Sequence, residues 1–122
     1  MIKFNLNNRV AIITGGAQGF GFAIAERFIG SGAKVIIWDI DENACKKAIS
    51  KIDSKEFTYQ IVDVRQIKEV ETNLKEVEKK FGKIDIFINN AGIAGINTSV
   101  IDYPIEEWNK VIDLNLNAVF YC

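Results

Sequence analysis

The sequence predicts an α/β fold, a doubly wound parallel sheet with helices packed against it. Four short apolar runs of strand length alternate with segments of helical periodicity. Strands joined in this way are parallel, because a parallel pair needs a crossover connection and a helix is the usual one. The length of 122 residues suits one domain and makes a second independent domain unfavourable.

The first two strand-and-helix units occupy the amino-terminal half of the chain. The apolar run RVAIIT at residues 9–14 predicts the first strand, and residues 20–29 predict a helix that Gly30 and Gly32 can end. The run KVIIW at residues 34–38 lacks polar alternation, so we expect a strand buried on both faces. Residues 41–52 predict the second helix, whose acidic first turn is favoured by the helix dipole.

The third and fourth strands are predicted at residues 56–62 and 84–88. Between them, apolar residues at intervals of three and four predict a helix that Gly82 ends as C-cap: Ile67, Val70, Leu74, Val77 and Phe81. Pro104 suits the first turn of a last helix. The apolar side of that helix is expected to consist of Ile105, Trp108, Val111, Ile112, Leu116 and Val119.

A cluster of glycines, Gly15, Gly16, Gly19 and Gly21, follows the first strand directly. At this position the first N–H groups of the next helix have no backbone partners and carry the positive end of the helix dipole. A turn without side chains lets a phosphate approach those groups. The cluster therefore predicts a pyrophosphate site. The alternative is a turn whose glycines serve only close packing of strand against helix.

The glycine spacing separates this loop from other phosphate loops. The chain contains neither G-x-G-x-x-G nor the Gly-Lys-Ser/Thr of a P-loop; Thr14 and three of the glycines form T-G-x-x-x-G-x-G. Further motifs follow in order at later elements: Asp39, Asp63-Val64, Asn89-Asn90-Ala91-Gly92, and Asn115 within WNKVIDLNLNAVF. Over essentially the whole chain this pattern resembles the short-chain dehydrogenase/reductase family.

The resemblance implies a Rossmann-type fold and an oxidoreductase that transfers a hydride between NAD(H) and an alcohol or carbonyl substrate. Residues 1–122 would be the cofactor-binding domain of such an enzyme, truncated before the fifth strand. The residues that the resemblance places at the cofactor are Gly15, Gln18, Gly19, Phe20, Gly21, Asp39, Asp63, Val64, Asn89, Ala91 and Gly92.

Asp39 favours NAD over NADP. Its carboxylate follows the second strand, where it can accept hydrogen bonds from the adenosine ribose hydroxyls and would repel a 2′-phosphate. Gln18 and Ile40 stand where phosphate-preferring members of the family carry a basic residue, and neither is basic. The alternative is that Asp39 caps the second helix, a role that Asp41 can fill itself.

The resemblance assigns parts of the cofactor to the later motifs as well. Asp63 would accept from the adenine amino group, with Val64 against the ring, although an aspartate after a strand is commonly only a turn residue. The amides of Asn89 and Asn90 can bond loop backbone, while Ala91 and Gly92 admit the cofactor ribose. A purely structural amide turn is the alternative for this segment.

Asn115 is the candidate catalytic residue. It stands among apolar residues, so we expect it to be buried and to have hydrogen-bond partners. In the family the matching asparagine belongs to the catalytic tetrad, where it bends the helix and holds a water that passes protons to the active-site lysine. The alternative is that Asn115 or Asn117 is simply exposed.

The rest of the family's chemistry has no counterpart in these residues. Four residues after Tyr59 and Tyr103 stand Asp63 and Glu107, and only Cys122 follows Tyr121, so the family's Tyr-x-x-x-Lys is absent. Its catalytic serine has no match either, because the last serine precedes the final helix. We therefore expect this chain alone to be inactive, as half of a truncated enzyme; the alternative is a non-catalytic NAD-binding or assembly module complete at Cys122. If the fourth strand lacks its partner, we expect the chain to dimerise through its last helix, to swap strands or to aggregate. The resemblance implies a homo-oligomer through the last helices, with Trp108, Val111 and Phe120 as candidate contacts; the alternative is that these three residues belong to the core.

Composition restricts the remaining partners. Lys and Arg number 15 against 16 Asp and Glu, and this balance argues against nucleic acid and membrane surfaces as partners. No apolar stretch predicts a signal peptide or a membrane span. Histidine is absent and the two cysteines lack metal-ligand spacing, so we expect no metal site and a cytoplasmic protein.

Overall fold

The computed structural model describes residues 2–122 and contains a four-stranded parallel sheet. The strands are β1 (Val10–Thr14), β2 (Lys34–Asp39), β3 (Phe57–Ile61) and β4 (Ile86–Ile88). Their order across the sheet is β3-β2-β1-β4, so the chain runs outward from β1 in one direction and then crosses to its other side. This reversal beside β1 is the topological switch of a doubly wound fold, and it confirms the predicted fold class.

Helices connect the strands. They are α1 (Gly19–Gly30), α2 (Glu42–Ser50), α3 (Ile67–Phe81), α4 (Ile105–Ile112) and α5 (Ala118–Tyr121). Two predicted caps are confirmed: the Asp41 side chain accepts from the Ala44 N–H at 3.0 Å, and Gly82 ends α3 in the left-handed conformation at φ 78°. Most predicted boundaries lie within two residues of the observed ones.

The core consists of two apolar layers, one on each face of the sheet. Successive strand residues point to opposite faces, so Ile13 and Ile37 belong to one layer, and Ile12, Ile36 and Trp38 to the other. The first layer packs under α1 and α2, and the second packs under α3 and Ala118 of α5. All six residues of β2 except its two ends are buried, as the unbroken apolar run predicts.

The last helix differs from its prediction. A π-helical segment, Asp113–Asn117, separates α4 from α5. Several residues of the expected apolar side are exposed, among them Ile105 at 73% and Leu116 at 61%. The expected apolar side of this helix is therefore largely exposed in the described chain. A π turn adds one residue to the helix and so rotates Val119, which follows it, relative to the earlier apolar positions; Ile105 precedes the π turn and is exposed independently of it.

Candidate functional site

The carboxyl ends of all four strands bring the predicted site residues to one edge of the sheet. β1 and β2 are paired in register from Val10 with Lys34 to Thr14 with Trp38, and β2 continues to pair with β3 up to Asp39 with Ile61. Backbone bonds continue past the strands: the Gly16 N–H donates to the Trp38 carbonyl at 3.4 Å, and the Val62 N–H donates to that of Asp39 at 3.1 Å. The glycine loop, Asp39 and Asp63 thus lie side by side in the order expected of a switch-point site.

The glycine loop is shaped by close backbone contacts. Gly15 has φ +60°, and a Cβ there would lie 3.0 Å from the Cα of Ala91. A Cβ on Gly21 would collide with the carbonyl oxygen of Gly15. These two glycines are therefore required by packing between the loop, α1 and the segment after β4, as in the alternative interpretation.

Gly19 differs from these two glycines. It has φ +58°, yet a Cβ built on it would meet no other atom of residues 2–122 within 4 Å, apart from its chain neighbours and its own helix backbone. Packing of the chain therefore does not require a glycine at this position, and the space beside it is open. Such a bare, open turn at the start of a helix is what a phosphate needs.

The first turn of α1 offers donors without protein partners. Gln18 is the N-cap in an extended conformation, and its side chain makes no capping hydrogen bond. No acidic residue stands in the first turn. Phe20, in that turn, is 86% exposed. The positive end of a 12-residue helix therefore faces the open space beside Gly19, and this cradle fits the pyrophosphate of a dinucleotide.

Asp39 is oriented by two backbone N–H groups. Its Oδ2 accepts from Ala17 at 3.4 Å and its Oδ1 accepts from Asp41 at 3.1 Å. A carboxylate has about four acceptor positions, so roughly two remain free for other donors. The cap of α2 is provided by Asp41, and this excludes the alternative in which Asp39 caps that helix. Ile40, immediately after it, is 66% exposed.

Asp63 forms an ion pair that the sequence motif does not predict. The Arg65 Nη2 lies 2.8 Å from Asp63 Oδ2, and the Arg65 Nε donates to Asp63 Oδ1 at 2.9 Å. The hydrogen bond from the Arg65 side chain is the main reason that the pKa of Asp63 is lowered. Val64 is 7% exposed and packs in the core layer under α3, so its contact with adenine remains a prediction.

Thr14 and Asn90 connect the ends of β1 and β4. The Thr14 hydroxyl oxygen accepts from the N–H groups of Asn90 and Ala91, both at 3.0 Å. The Asn90 amide donates to the carbonyl oxygens of Thr14 at 2.9 Å and Gly15 at 3.1 Å. The expected bonding of loop backbone is thus made by Asn90, whereas Asn89 is exposed. Thr14 is the only buried polar residue of the described chain. Its position at the end of an apolar strand is the feature of the sequence that could have indicated a structural hydrogen-bonding role.

Asn115 lies in the π-helical segment and is exposed, so the expectation of burial is wrong. It nevertheless has two partners: its Oδ1 accepts from the Ile93 N–H at 2.9 Å, and its Nδ2 donates to the Ile93 carbonyl at 2.8 Å. A Cβ on Gly92 would lie 3.2 Å from Asn115 Oδ1. Asn115 therefore connects the segment after β4 to the π-helical segment by two hydrogen bonds, next to Ala91 and Gly92.

Residues 2–122 contain neither a metal-binding cluster nor a helix fit to span a membrane. No three His, Cys, Asp or Glu side chains come together there as a metal site would require. Within the same residues, no helix combines the length and the apolar character needed to span a membrane.

Comparison with known proteins agrees with this geometry. The family model described as short chain dehydrogenase matches residues 9–122. A protein of Yarrowia lipolytica named "Probable NADP-dependent mannitol dehydrogenase" is 45% identical, over all of this chain and 45% of its own length. An NAD-dependent glycerol dehydrogenase of Listeria innocua is 38% identical, over 96% of this chain and 45% of its own.

The structural comparison gives the same answer. A crystal structure of 3-ketoacyl-(acyl-carrier-protein) reductase from Brucella melitensis complexed with NADH has a TM-score of 0.90 and 32% identity, over 96% of this chain and 48% of that one. The chain spans about half the length of the curated relatives that it matches. On the match of 114 of its residues and on this fold, the chain belongs to the short-chain dehydrogenase family.

Proposed function

We propose that these residues form the NAD-binding part of an oxidoreductase that transfers a hydride between NAD(H) and an alcohol or carbonyl substrate. The uncapped start of α1 and the open space at Gly19 would hold the pyrophosphate. The loop and the first turn of α1 would contact the pyrophosphate through Gly15, Gln18, Phe20 and Gly21. Asn89, Ala91 and Gly92 would border the nicotinamide half from the segment after β4.

The observation that carries the preference for NAD is the carboxylate of Asp39. Two backbone N–H groups hold it at the end of β2, with acceptor capacity left for the two ribose hydroxyls. A 2′-phosphate would bring negative charge beside it, and neither Gln18 nor Ile40 can neutralise that charge. The relatives include proteins named for NAD and one named for NADP, so selectivity has to be measured on this protein.

Calorimetric titration with NAD and NADP tests this proposal. We expect NAD to bind at least about tenfold more tightly, a difference of about 1.4 kcal/mol. Asp39→Ala should reduce that difference in affinity, because it weakens the binding of NAD and strengthens the binding of NADP. Asp41→Ala, which removes a carboxylate two residues away that caps α2, is the matched control and should leave the ratio unchanged. Equal affinities in the unmodified protein would refute the role of Asp39.

We propose that the residues described here bind the cofactor but do not complete the reaction. A proton donor with a tuned pKa is needed beside the carbonyl, and none of the three tyrosines has a lysine four residues later. Asn115 would contribute to catalysis by positioning the segment from Ala91 to Ile93. Turnover of an alcohol by the whole protein is the expected result; NAD binding without turnover there would favour a non-catalytic module.

We further propose a cytoplasmic homo-oligomer that associates through the last helix. Trp108 is 50% exposed and Phe120 is 86% exposed, so both are free for a partner copy. Val111 is partly buried and packs near Gly95, where an added Cβ would lie 2.7 Å from it, so it contributes less to such a surface. β4 pairs only with β1 and leaves its other edge unpaired in the described sheet. A monomer at high concentration in sedimentation would contradict this proposal.

A further inference from the structure

Arg65 holds the Asp63 carboxylate with three donors. The Arg65 backbone N–H and Nε both donate to Oδ1, at 3.0 and 2.9 Å, and Nη2 donates to Oδ2 at 2.8 Å. Such a fork fixes the plane of a carboxylate as well as its position. The side chains are 38% and 21% exposed, so this ion pair lies at the surface, where an ion pair contributes little to stability.

The donors are unequally divided between the two oxygens. Oδ1 receives two of the hydrogen bonds and Oδ2 receives one. Each carboxylate oxygen has about two acceptor positions, so Arg65 fills both positions of Oδ1 and one of the positions of Oδ2. The Gln66 side chain is a further donor near this carboxylate and also lowers the pKa of Asp63. The Oδ2 position that Arg65 leaves belongs to a carboxylate that stands two residues beyond β3, next to Asp39 along the sheet edge.

Arg65 also lies near the last helix. It lines a shallow cavity together with Asp113 and Asn117 of the π-helical segment. The pKa of Arg65 is raised mainly by the hydrogen bond to Asp63 and less by the charge of Asp113. The guanidinium is therefore attracted toward Asp113 as well, although its hydrogen bonds go to Asp63.

We propose that Arg65 is a positioning residue that aims Oδ2 of Asp63 at the 6-amino group of the cofactor's adenine. The inference rests on the proposed function, because it takes the adenosine ribose to lie at Asp39 and the base to lie beyond it, over the end of β3. Arg65 acts through Asp63 and makes no contact with the cofactor in this scheme. The effect expected of Arg65 is a higher affinity for a dinucleotide that contains adenine than for one whose purine lacks the 6-amino donor.

The test compares NAD with nicotinamide hypoxanthine dinucleotide, in which a 6-oxo acceptor replaces the amino group. Calorimetric Kd values for both are measured on the whole protein and on Arg65→Ala, Arg65→Lys and Asp63→Ala. A charge-assisted hydrogen bond is worth about 1.5 kcal/mol or more, so the unmodified protein should prefer NAD about tenfold. Arg65→Ala should reduce that preference to about threefold or less. Arg65→Lys should retain part of the preference for NAD, because the ammonium of lysine keeps the charge but lacks the two-pronged geometry of the guanidinium.

The matched control is Arg9→Ala. Arg9 also pairs with an aspartate, Asp85, at 3.3 Å, but at the opposite end of β1, so its removal should leave the preference unchanged. The double variant Arg65→Ala with Asp63→Ala should lose no more of the preference for NAD than Asp63→Ala alone. If Arg65→Ala weakens the binding of both dinucleotides equally, Arg65 only stabilises the loop. If the variant's preference for NAD increases, Arg65 competes with adenine for Asp63. Either result overturns the inference. If the unmodified protein binds neither dinucleotide, the proposed function fails first.

Discussion

Asn90 donates two hydrogen bonds to Thr14 across the ends of β1 and β4. The Asn90 backbone N–H donates to the Thr14 hydroxyl at 3.0 Å, and the Asn90 amide donates to the Thr14 carbonyl at 2.9 Å. Because the amide also reaches Gly15, this pair sets the distance between the glycine loop and the segment that carries Ala91. The two sides of the proposed cofactor site are therefore positioned by residues that stand 76 positions apart.

Replacing the Thr14 hydroxyl should destabilise the fold. Thr14→Val keeps the side-chain shape but leaves the partly buried N–H of Ala91 without its acceptor, while the N–H of Asn90 keeps only its bond to the Ile88 carbonyl, so we expect a loss of about 1–3 kcal/mol in the free energy of unfolding. Urea denaturation measures it. Thr58→Val on β3, where the threonine is partly exposed, is the control and should change stability by less than about 0.5 kcal/mol. A loss no greater at Thr14 than at Thr58 would contradict the assigned role.

A side chain at Gly19 should block dinucleotide binding. Gly19→Val fills the open space in front of α1 and forces a β-branched residue to adopt φ +58°, so we expect binding of both NAD and NADP to be lost. Gly82→Val is a matched control. Gly82 also has positive φ and no atom within 4 Å of an added Cβ, but it lies at the end of α3. Both variants should lose similar stability; if Gly19→Val still binds NAD, the loop is not the pyrophosphate site.

The contribution of Asp85 to stability should depend on pH. Its pKa is lowered, first by the hydrogen bond from the Val10 N–H and then by Lys83 and Arg9. Because the folded pKa lies below the unfolded value of about 3.9, the stabilisation is present at neutral pH and disappears as pH falls through the folded pKa. The difference in unfolding free energy between the unmodified protein and Asp85→Asn should therefore shrink between pH 6 and pH 2.5. A constant difference over that range would show that the charge is not involved.

Removal of the Asn115 amide should loosen the segment after β4. Asn115→Leu eliminates both hydrogen bonds to Ile93, so amide hydrogen exchange at Ile93 should accelerate at least about tenfold. Exchange at Ile13, in the buried β1, should not change. Asn117→Leu, which affects an amide bonded only to Asp113 in the described chain, serves as the comparison variant. Unchanged protection at Ile93 would show that this contact does not hold the segment.

Some features of the site follow from local pattern and are predicted well. Asp41 and Gly82 act as caps because capping depends on neighbouring residues of the same segment. Asp39 and the glycines reach one sheet edge because parallel strands of similar length must end there. No long-range information is needed for either conclusion.

Other features depend on a displacement of one residue, and periodicity does not determine them. The fourth strand ends at Ile88 as predicted, yet it is Asn90 that bonds Thr14 while Asn89 is exposed. Adjacent side chains point in different directions, so a choice between the two asparagines needs the backbone conformation after the strand as well as the point at which the strand ends. The π turn around Asn115 likewise adds one residue to a helix whose apolar spacing looks regular.

The amino-acid sequence was enough to establish the parallel α/β fold, the family, the position of the glycine loop after β1 and the place of Asp39 after β2, because each depends on short-range pattern and on strand order. Long-range packing decided which distant polar groups pair: Thr14 with Asn90, and Asn115 with the Ile93 backbone. Hydrogen bonds require partners within about 3.5 Å at the right angle. Only the packing of strand ends against one another and against the last helix brings such groups to that distance.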